Sequence, residues 1–427
     1  MRTRIAFLAM LLWLCAVVTI EAQSLPSAKP EQVGLSSERL KMIMTTLKAD
    51  TDKGTIPGAV LLVSRHGKIA LFETVGVRDP ATKAPMTKDS IFRIYSMSKP
   101  ITSVAAMTLL EDGKLALNDP VSKYIPKLGG LKVGVEKADP SGGKPTLELV
   151  PTKRDMNIQD LFIHASGLTY GFFGAGVVKK MYVDGKVWND YPSNPELIDR
   201  LSKLPLAYQP GTTWDYSHST DVLGRVVEVV SDRSLYQFEK ERILDPLGMK
   251  DTSFYVMDKS KQDRIAEPFP NDRSIGIDAE FNDPRVAQKW ESGGGGMVGT
   301  AMDYARFLQM MLNGGTLDGK RVLGPKTVAF MTSDHVGPSV TPGPYYLPGP
   351  GFGFGLGFAV RNAPGVSAFP GSVGEYNWGG AGGTYFWVDP KEDMFVVFMM
   401  QSPKQRVYYR ALLKDMIYAA VMKPAGK

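Results

Sequence analysis

Apolar and polar positions divide the chain into short strands and amphipathic helices behind a terminal apolar run. Gly58-Ala59-Val60-Leu61-Leu62-Val63-Ser64 is apolar throughout, His66-Gly67-Lys68 is a polar turn, and a second apolar run follows over 69–76; together they predict a β-hairpin. Ile101, Val104, Ala105, Thr108 and Leu109 recur at helical spacing and Gly113 stands where a C-terminal cap belongs, predicting a helix over about 98–112. Residues 128–152, rich in Gly, Pro and charge, read as a loop, and helical pattern returns at 158–163, 195–204, 220–230 and 235–244. An irregular charged stretch over about 259–292 leads through Gly293-Gly294-Gly295-Gly296 into an amphipathic helix over 301–312. Strands are expected at 352–360, 376–388 and 394–400, and a last helix at about 407–422.

Strands at both ends with helices between them predict an α/β (α+β) fold. One sheet is assembled from both ends of the chain, flanked by helices, with a mainly helical lobe inserted. The expected boundaries are 1–22 for a leader and 23–427 for one domain, with an α/β lobe at about 23–90 and 293–427 and a helical lobe at about 91–292. The leader is expected because Arg2 and Arg4 precede an apolar run over 5–20, followed by Glu21-Ala22-Gln23. That pattern predicts a secreted or periplasmic protein cleaved near Ala22, whose mature chain does not insert stably in a membrane. An uncleaved anchor is the competing reading; lipid attachment through Cys15 is disfavoured by the bulky Trp13 and Leu14 before it.

Composition narrows the function. The 427 residues include 44 Gly and 30 Pro, which suits many turns and long loops over a helical bundle. The formal charge of +6 is scattered and contains no 5–8-residue basic run, so no nucleic-acid partner is expected. Four His and one Cys give no metal set, and the glycine run lacks the Lys-Ser/Thr ending of a phosphate-binding loop; it reads as backbone packed closely on a neighbour. No metal or cofactor is expected. The pattern fixes no oligomeric state.

The sharpest chemical feature is Ser96-Met97-Ser98-Lys99 at the start of the predicted helix. Three residues' spacing puts both side chains on one face, one turn apart. A serine hydroxyl needs a partner to take its proton, and a lysine can serve when its surroundings favour the neutral amine. A second such spacing, Ser141 to Lys144, lies in a Gly/Pro loop with no helix to hold it and is set aside. Trp214-Asp215-Tyr216-Ser217-His218 adds a phenol able to act as a base. Asn377-Trp378-Gly379-Gly380-Ala381-Gly382-Gly383 adds glycines that let a ligand approach the backbone. His164 and His335 read as structural, and no Gly-x-Ser-x-Gly or His-Glu-x-x-His occurs.

Ser-x-x-Lys, a tyrosine motif and a glycine-rich strand in this order resemble the serine β-lactamase and penicillin-binding superfamily, within it class C β-lactamases and the carboxylesterases of the same fold. His164-Ala165-Ser166-Gly167-Leu168 and Gly294-Gly295-Gly296-Met297-Val298 also resemble segments of those esterases. The resemblance implies Ser96 as nucleophile, Lys99 as its proton partner, Tyr216 as general base, and the backbone N–H groups of Ser96 and Ala381 as oxyanion hole. It also implies that Trp378, Gly379, Gly380 and His218 contact substrate. Two departures tip it from lactamase to esterase. His218 replaces the usual Asn, and Trp378-Gly379-Gly380 replaces the Lys-Thr-Gly that holds a penicillin carboxylate. An indole favours neutral, apolar groups instead. The expected partner is therefore a small-molecule ester. The rivals are a β-lactamase or D-amino-acid peptidase, an acyltransferase using the same serine, and a penicillin-sensor-like protein that keeps its covalent adduct.

Overall fold

The computed structural model describes residues 24–143, 145–276 and 279–423; the expected leader, with Cys15, lies outside them. Eight antiparallel strands form one sheet: β1 (Gly58–Arg65), β2 (Lys68–Asp79), β3 (Ala84–Pro85), β4 (Phe352–Phe354), β5 (Ala359–Arg361), β6 (Tyr376–Gly379), β7 (Tyr385–Asp389) and β8 (Met394–Met400). Their order is β4-β5-β6-β7-β8-β1-β2-β3, so the two ends of the chain meet at the β8–β1 seam, paired from Ala59↔Met400 to Arg65↔Met394.

Both faces of this sheet are covered, which is why its central strands read as unbroken apolar runs. Val60 and Leu62 of β1 share one face with Phe395, Val397 and Met399 of β8; Ala59, Leu61 and Val63 share the other with Val396, Phe398 and Met400. The second face is buried by α1 (Ser37–Asp52), through Leu40, Ile43 and Leu47, and by the C-terminal helix through Tyr409, Leu413 and Ile417. Toward the first face lie α2 (Ser98–Glu111), α3 (Ser219–Ser231) and α4 (Ala301–Leu312) in one continuous core. The C-terminal helix, α5 (Arg406–Tyr418), ends four residues short of its expected limit. Every side chain of α2 from Ser98 to Leu109 is buried, so this helix runs through the core.

Several expectations need correction. Residues 128–152 are not a plain loop: Lys132–Lys137 pairs antiparallel with Thr146–Pro151 in a mostly exposed hairpin, whose short alternation of Val133 and Val135 and of Leu147 and Leu149 is interrupted by the Gly, Pro and charge between them. The single strand expected at 352–360 is two, β4 and β5, folded back through a turn containing Gly357 at φ 103°. The single strand at 376–388 is likewise β6 and β7, reversed at the glycines with Gly383 at φ 117°. Helix α1 stands where the sequence reads as a polar lead-in, although Leu40, Ile43 and Leu47 recur at helical spacing and Ser36 caps it by accepting from the Arg39 N–H. A further helix, Val177–Asp184, lies within 170–194, which the sequence reads as a loop. Among the described residues, no helix is long and apolar enough to cross a membrane.

Candidate active site

Ser96 lies in a 3-10 turn, Tyr95–Met97, that runs straight into α2. Tyr95 is held at φ 44°, a region an aromatic residue rarely adopts, immediately before the serine. One turn along, Lys99 is only 1% exposed. Its Nζ donates to Ser96 Oγ at 3.4 Å, to Tyr170 Oη at 3.1 Å and to the Gly294 carbonyl at 2.6 Å, one acceptor for each ammonium proton.

Tyr216 presents its ring face to the same ammonium, with Nζ 4.4 Å from the ring centroid, while its hydroxyl accepts from Trp378 Nε1 at 3.2 Å. Trp378 and Phe386 pleat to the active-site side of the sheet; Gly379 and Tyr385 face α5. Ser96, Lys99, Tyr216 and Trp378, distant in sequence, thus converge. The lysine meets the ring of Tyr216 here, and its hydrogen bond goes to a second phenol, Tyr170.

The glycines explain how β6 turns so close to the serine. A Cβ on Gly380 would stand 2.4 Å from the Ile94 carbonyl, and one on Gly379 would stand 2.4 Å from Arg410 Nη2. The turn is therefore packed against the backbone leading into Ser96, fastened by the Thr384 hydroxyl on the Ile94 carbonyl at 3.3 Å. Gly380 N–H donates to Thr384 O and Gly383 N–H to Gly380 O, and neither bond uses the Ala381 N–H between them. Arg410 of α5 donates to the Gly380 carbonyl at 2.9 Å; desolvation brings its guanidinium down to about 10.

The histidines take supporting places. His164 is buried with its ring 4.8 Å from that of Tyr216, and burial, then the Lys99 charge, hold its pKa well below the usual value, so it is neutral. His335 bonds the Phe330 carbonyl through Nε2 at 2.7 Å. His218 bonds Asp221 through Nδ1 at 3.0 Å and stands edge-on to Tyr170 at 4.5 Å between centroids. Of the second Ser-x-x-Lys pair, Ser141 bonds Asp139 in an exposed loop, and Lys144 lies outside the described residues.

Two residues at the site were not singled out from sequence. Tyr170 lies two positions beyond the His164–Leu168 segment; burial, then the Asp221 charge, raises its pKa well above the ordinary phenol value and keeps it protonated. Asp221, 1% exposed, is buried beside Ser219 and Thr220 in the first turn of α3, where an acidic residue is common, so the sequence carried no signal for it. Phe172 stacks on Tyr170 at 4.9 Å, Phe173 meets Tyr216 edge-on at 5.7 Å, and Trp188 meets Phe172 at 5.3 Å, giving the site an aromatic wall. Among the described residues, no three His, Cys, Asp or Glu are grouped to hold a metal.

Comparison with known proteins gives the chain a family. The sequence profile of the Beta-lactamase family matches residues 43–417. Protein Rv1367c of Mycobacterium tuberculosis (strain ATCC 25618 / H37Rv) is 37% identical over 82% of this chain and 87% of its own. Esterase EstB of Burkholderia gladioli is 31% identical over 85% of this chain and 91% of its own. Among solved structures, EstCE1, described as a hydrolase with promiscuous acyltransferase activity, superposes with a TM-score of 0.72 at 28% identity, over 90% of this chain and 98% of that one.

Proposed function

The chain belongs to the beta-lactamase family of serine hydrolases, and from that premise we propose that it cleaves carboxylic esters through an acyl-enzyme on Ser96. Ser96 Oγ attacks the ester carbonyl carbon while its proton passes to the Lys99/Tyr216 pair. The bond to the alcohol oxygen breaks and the alcohol leaves with that proton. Water, activated by the same pair, then attacks the acyl-serine, frees the acid and restores the hydroxyl. The N–H groups of Ser96 and Ala381 receive the oxyanion, and Trp378, Gly380 and His218 are on the substrate side, while Gly379, expected there too, pleats toward Arg410 of α5.

One observation carries the choice of ester over lactam: the residue meeting the Tyr216 hydroxyl is the Trp378 indole, at 3.2 Å, and not a cation. A substrate carboxylate placed there forgoes a charged hydrogen bond worth about 1.5–3 kcal/mol. The aromatic wall of Phe172, Phe173 and Trp188 supports a neutral, short- to medium-chain apolar group instead. The esterase relative, EstB, points the same way.

The test is turnover of p-nitrophenyl butyrate, nitrocefin and a D-Ala-D-Ala peptide by wild type and Ser96→Ala. The proposal expects the ester to be the best substrate and its hydrolysis to vanish in a variant that keeps its melting temperature. Preference for nitrocefin or the peptide, or full activity in Ser96→Ala, contradicts it. The description of EstCE1 supports acyl transfer to alcohols as a second reading, which predicts faster release of nitrophenol when a simple alcohol is added. We also propose that residues 1–22 are a secretory leader; N-terminal sequencing of the exported protein should begin at Gln23.

A further inference from the structure

The Gly294 carbonyl that receives Lys99 is itself held from behind. The N–H of the same residue donates to Asp221 Oδ1 at 3.0 Å, and the Ser292 hydroxyl donates to that oxygen at 2.5 Å. A Cβ on Gly294 would stand 2.9 Å from both carboxylate oxygens, so a side chain there has no room. One residue earlier, the Thr102 hydroxyl of α2 reaches the Gly293 carbonyl at 3.1 Å. The glycine run is strapped between α2 and α3, with Asp221 on one side and Lys99 on the other.

Asp221 is ionised: burial works to raise its pKa, but the hydrogen bonds from His218 and Ser292 and the nearby charge of Lys99 outweigh it and leave the pKa lowered. Being an acceptor only, it fixes the His218 proton on Nδ1. The titratable groups around Lys99 are Tyr170 and His164 from one segment, Tyr216, His218 and Asp221 from another, Glu239 beyond Thr102, and Arg410 beyond Tyr216. Burial keeps Tyr170 and Glu239 protonated and His164 neutral. Asp221 is the anion of this group.

We propose that Asp221 is a positioning residue for Lys99: it places the Gly294 carbonyl that orients the ammonium, and it supplies the site's buried counter-charge without touching the lysine. This rests on Ser96 and Lys99 working as the ester-hydrolysing pair.

Asp221→Asn tests it, because an amide retains an oxygen for Ser292 and Gly294 and removes the charge. The expected result is a kcat/KM profile on p-nitrophenyl butyrate whose acidic limb moves to lower pH by at least about half a unit, since the ammonium has lost its counter-charge. The kcat should fall about tenfold with KM within about threefold. A profile that keeps the wild-type limb, whether superposed or scaled uniformly, overturns the proposal and leaves Asp221 a folding residue. If Asp221→Asn does not fold, Ser292→Ala carries the test: it strips a hydroxyl from a carboxylate that stays charged, and the limb should move to higher pH, an unmoved limb being the contrary result. Ester hydrolysis surviving Ser96→Ala overturns the reading beneath; an unmoved limb in an enzyme that still requires Ser96 overturns the role of Asp221 alone.

Discussion

Three lysines are buried among the described residues, and they are not alike. On the α5 face of the sheet, Lys414 is paired directly with Glu375, whose other oxygen and Asp389 both accept from the Tyr418 hydroxyl, at 2.9 and 2.7 Å. Lys179 sits directly on Asp215 at 3.0 Å. Lys99 instead has no carboxylate within ion-pair distance: its acceptors are a serine hydroxyl, a phenol and a carbonyl, with Asp221 one residue further back. Removing either member of a direct buried pair strands the other's charge, and this holds even though burial, against the opposing charge of Glu375, brings the Lys414 amine down to about 8. An ammonium surrounded by neutral acceptors can exchange its proton with a neighbour. The first arrangement pins the fold, and the second suits chemistry.

The contrast is broken or upheld most clearly by matched substitutions. Lys99→Met should lower kcat/KM for p-nitrophenyl butyrate by about 10³-fold, the order lost with a proton-transfer group. Its stability should suffer less than that of Lys414→Met, since Asp221 keeps His218, Ser292 and Gly294. Lys414→Met should leave kcat/KM near wild type yet cost about 3–5 kcal/mol in denaturant unfolding, having left Glu375 buried and unpaired. Activity lost in both, or stability lost equally, would erase the distinction.

A finer probe is Tyr170→Phe, which removes one of the three acceptors of Lys99 and keeps the ring against His218 and Phe172. A hydrogen bond to a charged group is worth about 1.5–3 kcal/mol, so kcat should fall about 10- to 100-fold with KM little changed. An unchanged kcat would mean the phenol only packs.

The smallest effect concerns the converse case, a buried carboxylate with no cation. Glu239 is fully buried, and burial raises its pKa well above the usual value against the opposing Thr102 hydrogen bond. Thr102 has one hydroxyl proton and two oxygen neighbours, Gly293 O at 3.1 Å and Glu239 Oε1 at 2.8 Å. That proton serves Glu239 Oε1 when the acid is ionised, and turns to the Gly293 carbonyl when the acid is protonated and donates to the hydroxyl in its turn. The native state binds a proton that the unfolded chain releases above the ordinary carboxyl value of 4.5, so stability falls as pH rises from there toward the folded pKa. Glu239→Gln should flatten that decline in urea unfolding measured from pH 4 to pH 8, and an identical slope in both proteins would contradict it.

How much of this could be read beforehand follows from the kind of signal each residue leaves. Strands β1 and β8, buried on both faces, announced themselves as apolar runs, and α2 did so through its spacing. Ser96, Lys99, Tyr216 and Trp378 stood out because short motifs carry them, and the structure brings those four together. The reversals at Gly357 and Gly383 did not, because a glycine inside an apolar run marks a bulge and a turn alike. The hairpin at 132–151 carries only two alternating apolar residues in each strand, Val133 and Val135 and then Leu147 and Leu149, and the Gly, Pro and charge between them mask that period. Tyr170 and Asp221 each look like an ordinary residue of their segment. Their importance arises only when α2, α3 and the glycine run meet around one ammonium.

The most direct measurement is mass spectrometry of the intact protein after reaction with a p-nitrophenyl alkylphosphonate, followed by peptide mapping. The account predicts one phosphonyl adduct, carried by the peptide containing Ser96, formed in step with loss of esterase activity and absent from Ser96→Ala. An adduct on any other residue, or loss of activity without an adduct on Ser96, would contradict it.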